Sequence, residues 1–512
     1  MNELLQQAYA RATTTNYLYT RHRDRWQFLL NSYVGGEEYR KGAYLTRYQL
    51  ESDAEYSQRL ANTPLDNQCK SIVSLYISFL FRQEPQRELG GLENTAWIAD
   101  FEEDADQDGR NITAFMKDVA TWTQVFGHSW VCVANPNVGA VTQADEMALG
   151  ARPYLSVLTP LTVVDWAWQR QPNGAYGLSM IRYIEEINDT ETIVKEWDRE
   201  IIRTTTISNR QEKATDYYEE INGLGELPFV LVYADRSPVR GIGQSVIDDI
   251  ADQQRAEYNE LSEIDQSIRL DSHPSLVATS AVAKTTTAGA GALIALPEDL
   301  DPALKPYVLE FSGAPVASIY TSIENRRRMI DSMANVGSVR ATETREMSGI
   351  AIETEFQLLN ARLSSIADNL ELAEEQIWQW VAEYAGVEWT GEIKYPDNFA
   401  LRNVDNELQQ LTTVYQTVQN PEMRAAIEHE LAELVDLDLE EYAGSPETPA
   451  EEADDEESAQ EQHPTTTPEN RAEHIQSMIM EGYEDSEILA MHPEITAADI
   501  LAAKQALLNL NG

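Results

Sequence analysis

Residues 104–109 of the 512-residue chain could hold a metal ion, because they read Asp-Ala-Asp-Gln-Asp-Gly. Carboxylates at alternate positions before a glycine are typical of the first half of a calcium-binding EF-hand loop. The twelfth position of such a loop should be a bidentate glutamate and is Phe115 here, and the eighth, usually apolar, is Asn111. A polar turn that caps the following helix is therefore the preferred interpretation, and calcium binding is the alternative.

Two further segments carry weaker signals for catalysis or nucleotide binding. His128 and Cys132 share one face of a predicted strand, but no base or third partner accompanies them, so we interpret them as packing residues. Gly241 and Gly243 resemble part of a phosphate-binding loop without its third glycine and its Lys-Ser/Thr pair. The start of a helix, with Ser245 as its N-cap, is the better interpretation. The sequence thus predicts no catalytic residue, no metal ligand and no cofactor site.

Composition narrows the class of protein. The net charge is −48, with 86 acidic residues against 38 basic ones, which opposes non-specific binding to nucleic acids and anionic membranes. A hydrophobic content of 42% predicts a folded chain of several domains. Cys69 and Cys132 have no metal-type spacing, which suits a reducing cytoplasm. The longest nearly apolar run, residues 72–81, is about half the length of a membrane span, so we expect no membrane association.

The chain is organised around one long predicted helix, from Ser348 to Tyr384. Its apolar residues alternate in steps of four and three, which places them on one side of the helix. They are Ile352, Phe356, Leu359, Leu363, Ile366, Leu370, Ala373, Ile377, Trp380 and Tyr384. Ser348 is a candidate N-cap and Gly386 a candidate stop. A coiled coil or a buried bundle helix is the default interpretation, but the polar segment 333–347 before it predicts an exposed loop.

Two more helices and a β-rich insert precede that loop. The helices are predicted to end near residues 270 and 334, and the insert between them contains predicted strands at 275–283, 293–296 and 307–311. Further upstream, helices are predicted at about 2–35, 51–81 and from 112. A buried strand is predicted at 127–134. An antiparallel sheet is predicted from strands at 154–158, 162–168, 177–187, 192–197, 200–207 and 229–233.

The C-terminal region changes composition. Residues 403–441 are helix-rich, whereas 445–468 are rich in Pro, Glu, Asp, Ser and Thr and almost free of large apolar groups. That segment cannot bury enough surface to offset its ordering and is predicted to be a disordered acidic linker. Residues 469–510 predict a small helical module.

This order of elements resembles the portal proteins of tailed bacteriophages over residues 33–386. The matching segments are Tyr33-Val34-Gly35-Gly36 with Tyr44-Leu45, Asp108-Gly109 before Phe115, Phe126-Gly127 before Trp130, Arg152-Pro153-Tyr154 with Val163-Val164-Asp165-Trp166, Gly225 to Val230, the helix from Ile247 to Leu270 closed by His273-Pro274, and Ser348-Gly349-Ile350-Ala351. Each segment alone is unspecific, whereas their order and spacing together are moderately specific.

The resemblance implies an α+β, mainly helical portal fold that assembles as a ring oligomer. The implied parts are the wing (1–242), the first stem helix (243–270), the clip (271–315), the second stem helix (316–334), the channel loop (335–348), the long spine helix with a return to the wing (349–400), the crown helices (401–444), the acidic disordered linker (445–468) and the C-terminal helical module (469–512).

The family also implies a non-enzymatic function and a set of partners. Portals form a ring, dodecameric in the virion, at one capsid vertex, and double-stranded DNA passes through the ring without sequence specificity. The implied protein partners are further copies of the chain, the major capsid protein, the large terminase, and head–tail adaptor or tail proteins. The implied location is the portal vertex of the virion, after assembly in the cytoplasm of the host cell.

Particular residues receive roles through the same resemblance. Arg340 and Arg345 would lie in the channel loop and touch phosphate transiently, with surface-exposed or ion-paired arginines as the alternative. Residues of the clip that would dock terminase or adaptor are Lys284, Thr286, Glu298 and Asp299. The run 326–328, three arginines, would form an intersubunit ion-pair strip on the stem.

The acidity has a physical interpretation in this setting, because basic contacts would bind DNA and slow its passage, whereas an acidic lumen repels it. Improved solubility or a salt-adapted source are the alternatives. Two other functions stay open at this point: another virion structural protein, such as a minor head or connector protein, and an acidic calcium-dependent binding module.

Overall fold

The computed structural model describes residues 3–136, 150–272, 275–277, 301, 307–309, 314–340 and 349–399, with 414–415, 423–424 and 427 beyond them. The chain divides into two units, Met1–Arg402 and Asn403–Gly512. Apart from those five positions, the predicted crown helices, acidic linker and C-terminal module lie outside the described residues.

Helices dominate the first part of the chain. They are α1 (Glu3–Ala12), α2 (Tyr17–Val34), α3 (Gly36–Lys41), α4 (Asp53–Asn62), α5 (Gln68–Leu80), α6 (Ile98–Glu103) and α7 (Ile112–Phe126), with a short strand β1 (Gln86–Glu88) and a 3-10 turn (Gly90–Asn94) between α5 and α6. The helical content predicted over residues 2–35 is confirmed, and it is divided between α1 and α2. Asn16 caps α2 by accepting a hydrogen bond from Leu18, while Thr13 and Thr14 bond carbonyls of α1, so the polar run 13–16 separates two helices.

The predicted antiparallel strands form two sheets rather than one. Strands β2 (His128–Ala134), β3 (Tyr154–Leu158) and β9 (Phe229–Tyr233) make a three-stranded sheet with β2 in the centre. The other sheet is a five-stranded meander of β4 (Val163–Arg170), β5 (Tyr176–Ile187), β6 (Glu191–Asp198), β7 (Ile201–Ser208) and β8 (Lys213–Ile221). Strand β8 was not predicted, because it is an edge strand whose polar residues hide the alternating pattern.

The second half of the first unit contains two long helices, an insert and a third, longer helix. A two-residue ladder of β10 (Asp235–Arg236) and β11 (Gly243–Gln244) leads into α8 (Asp248–Ser272). Then follow β12 (Ser275–Val277), β13 (Tyr307–Leu309), α9 (Ala314–Met333), α10 (Gly337–Arg340), α11 (Gly349–Ala385) and β14 (Glu392–Lys394), which pairs with β1. The mixture of helices and sheets confirms the α+β class.

Helix α11 confirms the long helix predicted from the apolar seam, and its 37 residues span about 55 Å. Leu359, Leu363 and Ile366 are fully buried, as expected. Near the C-terminal end the buried side shifts, so that Trp378 is fully buried and Trp380 is half-buried. The seam has a period of 3.5 residues and the helix one of 3.6, so the predicted positions drift by about 20° per heptad.

The predicted stop of α11 is confirmed in detail. Gly386 has a φ of +69°, its N–H donates to the carbonyl of Glu383, and the N–H of Val387 donates to that of Ala382. This pair of bonds is a Schellman motif, which requires a left-handed residue that glycine adopts without strain. The predicted N-cap, Ser348, lies outside the described residues.

A buried ion pair fixes α11 against the strands β1 and β14. The Arg87 Nε donates to Glu374 Oε1 at 2.6 Å, and the two side chains are 9% and 0% exposed. The indole N–H of Trp378 and the phenol of Tyr395 donate to the same carboxylate. Burial, followed by the charge of Glu374, raises the pKa of the Tyr395 phenol well above its usual range. The carboxylate therefore joins three elements at one point.

Replacing Glu374 tests this junction. Glu374→Ala would leave the Arg87 charge buried without a partner, and we expect a loss of about 3–5 kcal/mol in the free energy of unfolding, measured by denaturation followed by circular dichroism. Glu383→Ala, at an exposed position of the same helix, is the control and should change little. The double variant Arg87→Met/Glu374→Gln should recover most of the loss. A single variant as stable as the control would contradict the assigned role.

Candidate functional site

Helices α8 and α9 lie antiparallel and are held together by ion pairs. Glu260 accepts hydrogen bonds from Ser322 and Arg326, both at 2.9 Å. Closer to the start of α8, Glu257 accepts a bond of 2.8 Å from Arg327. Residues later in α9 thus meet residues earlier in α8, which brings the insert between the helices to one end of the pair.

Glu257 is the most buried charged group of this pair, with 1% of its side chain exposed. Burial raises its pKa, and Arg327 opposes that shift. The guanidinium of Arg327 also bonds Asp66, in the segment before α5, at 2.7 Å. Arg327 therefore connects the helix pair to the N-terminal helices as well as joining α8 to α9.

The expectation of an intersubunit strip at residues 326–328 is wrong for the first two arginines. Arg326 and Arg327 make their ion pairs within the chain, on the side of α9 that faces α8. Arg328 points outward, with 61% of its side chain exposed and Glu324 as a partner at 4.0 Å. Three consecutive helical residues point in directions about 100° apart, so they cannot share one interface.

The segment after α9 is less exposed than the sequence predicted. Ala334 and Val336 are 2% and 0% exposed, and the phenol of Tyr76 donates to the Ala334 carbonyl. Arg340 ends the short helix α10, and its guanidinium donates to Asp331 at 2.8 Å and to Gln68. It is thus ion-paired inside the protein, which was the alternative to contact with phosphate.

The remaining predicted site residues cannot be placed in the fold. Arg345 lies outside the described residues, as do the four predicted docking residues Lys284, Thr286, Glu298 and Asp299. Of the insert, β12 and β13 are described and pair antiparallel, with Ser275 opposite Leu309 and Val277 opposite Tyr307. This ladder confirms a strand in each of the predicted segments 275–283 and 307–311.

The acidic loop at residues 104–109 is closed by arginines. Asp106 accepts bonds from the N–H groups of Asp108 and Arg110 and pairs with the Arg110 guanidinium. Asp104 accepts a bond from Gly109 and pairs with Arg152 at 3.2 Å. Two of the loop's carboxylates thus bind positive charge that the chain itself supplies. Asn111 accepts a bond from Ala114 and caps α7, so the polar-turn interpretation is confirmed.

His128 and Cys132 are buried in the central strand β2 and have the environment of packing residues. Burial lowers the pKa of His128 to about 3 and raises that of Cys132 to about 12, so both side chains are neutral. The Nδ1 of His128 accepts a hydrogen bond from the N–H of Gly243 at 3.2 Å. Within the described residues, no group of His, Cys, Asp and Glu side chains is arranged to hold a metal ion.

The two glycines considered as a phosphate loop belong to a tight backbone crossing. A Cβ atom at Gly243 would lie 2.0 Å from the carbonyl oxygen of Gly127, so only glycine fits there. Ser245 accepts a bond from Ile247 and donates to the carbonyl of Val125, while α8 begins at Asp248. Because α8 begins at Asp248, the predicted N-cap at Ser245 is wrong: the Ser245 side chain anchors the turn before the helix to the end of α7.

Sequence reasoning missed the contact of Arg327 with Glu257 and Asp66. The available signal was the spacing of Glu257 and Glu260, which puts two carboxylates on one face of α8 opposite the three arginines. No helix of the described residues is both long and apolar enough to cross a membrane.

A model for a family described as a domain of unknown function, DUF4055, matches residues 247–385, the span from the start of α8 to the end of α11. No curated protein matches the chain. Among solved structures, a chain from the neck of an empty gene transfer agent (GTA) particle, computed with C6 symmetry, is similar at 12% identity and a TM-score of 0.44, covering 77% of this chain and 99% of that one. Chains from the virion and from the C12-symmetric neck of the native particle are similar at 12% identity and a TM-score of 0.39, each covering 78% of this chain and 98% of the other.

Replacing Arg327 tests the ion pairs of the helix pair. Arg327→Gln would leave Glu257 buried without its cation, and we expect a loss of about 2 kcal/mol in the free energy of unfolding, below the range for fully buried pairs because Arg327 is half-exposed. Arg328→Gln, one residue along the same helix, is the matched control and should stay within about 0.5 kcal/mol. Equal losses in the two variants would contradict the assignment.

The pH dependence of that loss has a definite sign. Because burial raises the pKa of Glu257, the folded state binds its proton more tightly than the unfolded state. The stability that this proton contributes is fully present below the pKa that Glu257 has in the unfolded state, and it is lost as the pH rises through the pKa of Glu257 in the folded state. Denaturation of Arg327→Gln should therefore show a smaller loss relative to the parent chain as the pH falls toward about 4.

Gly243→Ala tests the backbone crossing. The added methyl group overlaps a backbone oxygen, which cannot rotate away, so we expect a loss of more than about 2 kcal/mol and a lower melting temperature. Gly223→Ala is the control, because a Cβ atom at Gly223 meets no atom within 4 Å. If Gly243→Ala had the same melting temperature as Gly223→Ala, the backbone around Gly243 would be able to move away from the added methyl group, and the assigned crossing would not constrain the fold.

Proposed function

We propose that the chain is a portal protein: a non-enzymatic subunit of a ring that forms the DNA channel at one vertex of a capsid. The observation that carries this proposal is the antiparallel pair α8 and α9, connected at one end through the insert with β12 and β13, and followed by α11. Helices of 25 and 20 residues extend for about 38 and 30 Å. Such a helix pair can hold its insert far from the core, because the other end of the pair is anchored in the core.

Burial along the helix pair supports a position at the wall of an assembly. Ile250 and Tyr258, in the first half of α8, and Ile247 directly before it are buried in the main core. Large apolar side chains of the pair that stay 43–51% exposed are Ile268, Tyr320, Met329 and Met333. Large apolar side chains left exposed along the helix pair support an interaction surface. We assign them to contacts between neighbouring copies in a ring, dodecameric in the virion.

The proposed parts follow the resemblance: wing (1–242), stem helices (243–270 and 316–334), clip (271–315), channel loop (335–348), spine (349–400), crown (401–444), linker (445–468) and C-terminal module (469–512). The clip would dock the large terminase and adaptor or tail proteins, and the wing and crown would contact the major capsid protein and the packaged genome.

The charge balance supports passage of DNA rather than binding to it. A net charge of −48 per subunit gives a ring that repels the phosphate backbone, so no tight contact would slow the duplex. Arg340 is bound to Asp331, which leaves less positive charge toward a lumen than the sequence predicted. Arg345 stays a candidate for transient contact with phosphate.

Another virion structural protein, a minor head or connector protein, is the second candidate. It would share the virion and the oligomeric state but would not require a hole as wide as a DNA duplex. The calcium-dependent module is not favoured, because Arg110 and Arg152 already neutralise the acidic loop.

Negative-stain electron microscopy of the purified chain, with native mass measured in parallel, tests the ring. We expect rings with a central hole about as wide as a DNA duplex. Tyr320→Glu/Met329→Glu should abolish them while circular dichroism stays unchanged, because charge replaces apolar contact. Tyr17→Glu, at a 74% exposed tyrosine of α2, is the control and should form rings. A chain that stays monomeric even with capsid protein and scaffold present would overturn the proposal, and closed rings without a hole of that width would favour the connector.

A further inference from the structure

A cavity of about 640 Å³ opens between the five-stranded sheet, β9 and α11. Its aromatic walls are Trp168 and Tyr176 from the β4–β5 hairpin, Tyr233 from β9, and Trp380 from α11. Leu178, Leu227, Phe229 and Leu231 add an apolar wall. A volume of this size falls within the range of binding pockets in proteins.

Three arginines lie over the aromatic rings of this cavity, and two of them, Arg236 and Arg240, line it. The guanidinium carbon of Arg240 is 3.7 Å from the ring centre of Tyr176, and that of Arg170 is 5.6 Å from the same ring. Arg236 lies 5.4 Å from the ring of Tyr233. These distances are typical of cation–π contacts. The Nε of Arg170 also donates to the carbonyl of Gly174 at 3.3 Å, so Arg236 and Arg240 are the two arginines that face a ligand.

None of these three arginines forms an ion pair with a carboxylate of the described residues. In this chain with 86 acidic residues, most arginines of the described part do have such a partner. The nearby carboxylates are bound elsewhere, since Glu226 pairs with Arg199 at 3.4 Å and Asp235 pairs with Arg362 at 2.6 Å.

Two cationic side chains of the cavity wall are therefore left without a carboxylate partner among the described residues. Because Arg236 and Arg240 both line the cavity, their guanidinium groups point to an anionic ligand.

We propose that this cavity binds an acidic peptide segment in which a carboxylate stands beside an apolar side chain. The guanidinium groups of Arg236 and Arg240 bind the carboxylate, and the apolar side chain enters between Trp168 and Trp380. A concave apolar wall favours a peptide over nucleic acid, because a phosphate backbone would pass over the arginines and leave the cavity empty. The net charge of the chain also opposes a long polyanion. This site is independent of ring formation.

Calorimetric titration with a defined peptide tests the site. The probe is a blocked peptide with the central sequence Glu-Phe-Asp, and its counterpart with Gln-Phe-Asn lacks the charges. We expect the acidic peptide to bind the full chain and its counterpart to bind at least about tenfold more weakly, because hydrogen bonds to charged groups contribute about 1.5–3 kcal/mol. Arg236→Gln and Arg240→Gln should each weaken the acidic peptide by a similar factor, with melting temperatures confirming that the variants fold.

Arg210→Gln is the matched control, since it removes the same charge from an exposed turn of the same sheet. It should leave the affinity unchanged. If Arg210→Gln weakened peptide binding as much as Arg236→Gln or Arg240→Gln, the affinity would depend on net charge alone and the proposal would be overturned. It would also be overturned if the parent chain did not bind the acidic peptide at millimolar concentration. If a short DNA duplex bound more tightly than the peptide, and Arg240→Gln abolished that binding, the cavity would be reassigned to nucleic acid.

Discussion

The burial of one side of α11 is the constraint on which the rest of the first unit depends. This helix contacts the central strand β2, strand β9, helix α5 and strand β14, so it is part of nearly every layer of the core. The buried apolar side described from Leu359 to Ala382 is about 36 Å long and cannot be left in water, so strands and helices must be arranged along it. Glu374, a buried charge on that side, is tolerated because Arg87, Trp378 and Tyr395 satisfy its oxygens.

Basic residues are few in this chain, and most described arginines form an ion pair with a carboxylate. With 38 basic against 86 acidic side chains, arginines in this chain are mostly used where a carboxylate must be buried or where two elements must be joined. Arg59 meets Glu51 with both side chains almost fully buried, and Arg182 binds Asp165 and Glu196 on the five-stranded sheet. The arginines at the aromatic cavity differ from these, because Arg170 and Arg240 lie over Tyr176 and Arg236 lies over Tyr233, and none of the three has a carboxylate partner among the described residues.

Periodicity and caps made the regular elements predictable from the sequence, and the exceptions have physical causes. The long helix, its glycine stop and the buried strand at His128 followed from local patterns that burial reinforces. The split of the sheet into two, and strand β8, did not, since pairing partners are chosen by non-local packing. Arg340 was assigned to an exposed loop because residues 333–347 are polar, whereas Ala334 and Val336, before it, are buried and Arg340 itself pairs with Asp331. The aromatic cavity could not be foreseen, because Trp168, Tyr233 and Trp380 are distant in the chain.

The ion pairs of the helix pair determine what can join neighbouring copies in the proposed ring. Arg326 and Arg327 are bound to Glu260 and Glu257 of their own chain, so they are not free to bind a neighbour. Subunits that each carry a charge of −48 repel one another, although the repulsion between exposed charges is screened beyond about 8 Å at physiological ionic strength. Association must then come from apolar contact at short range, at about 25 cal/mol for each Å² buried. Tyr320, Met329 and Met333 are exposed on α9, the helix whose Arg326 and Arg327 form ion pairs within the chain. In the proposed ring, α9 would therefore contact a neighbouring copy through apolar side chains.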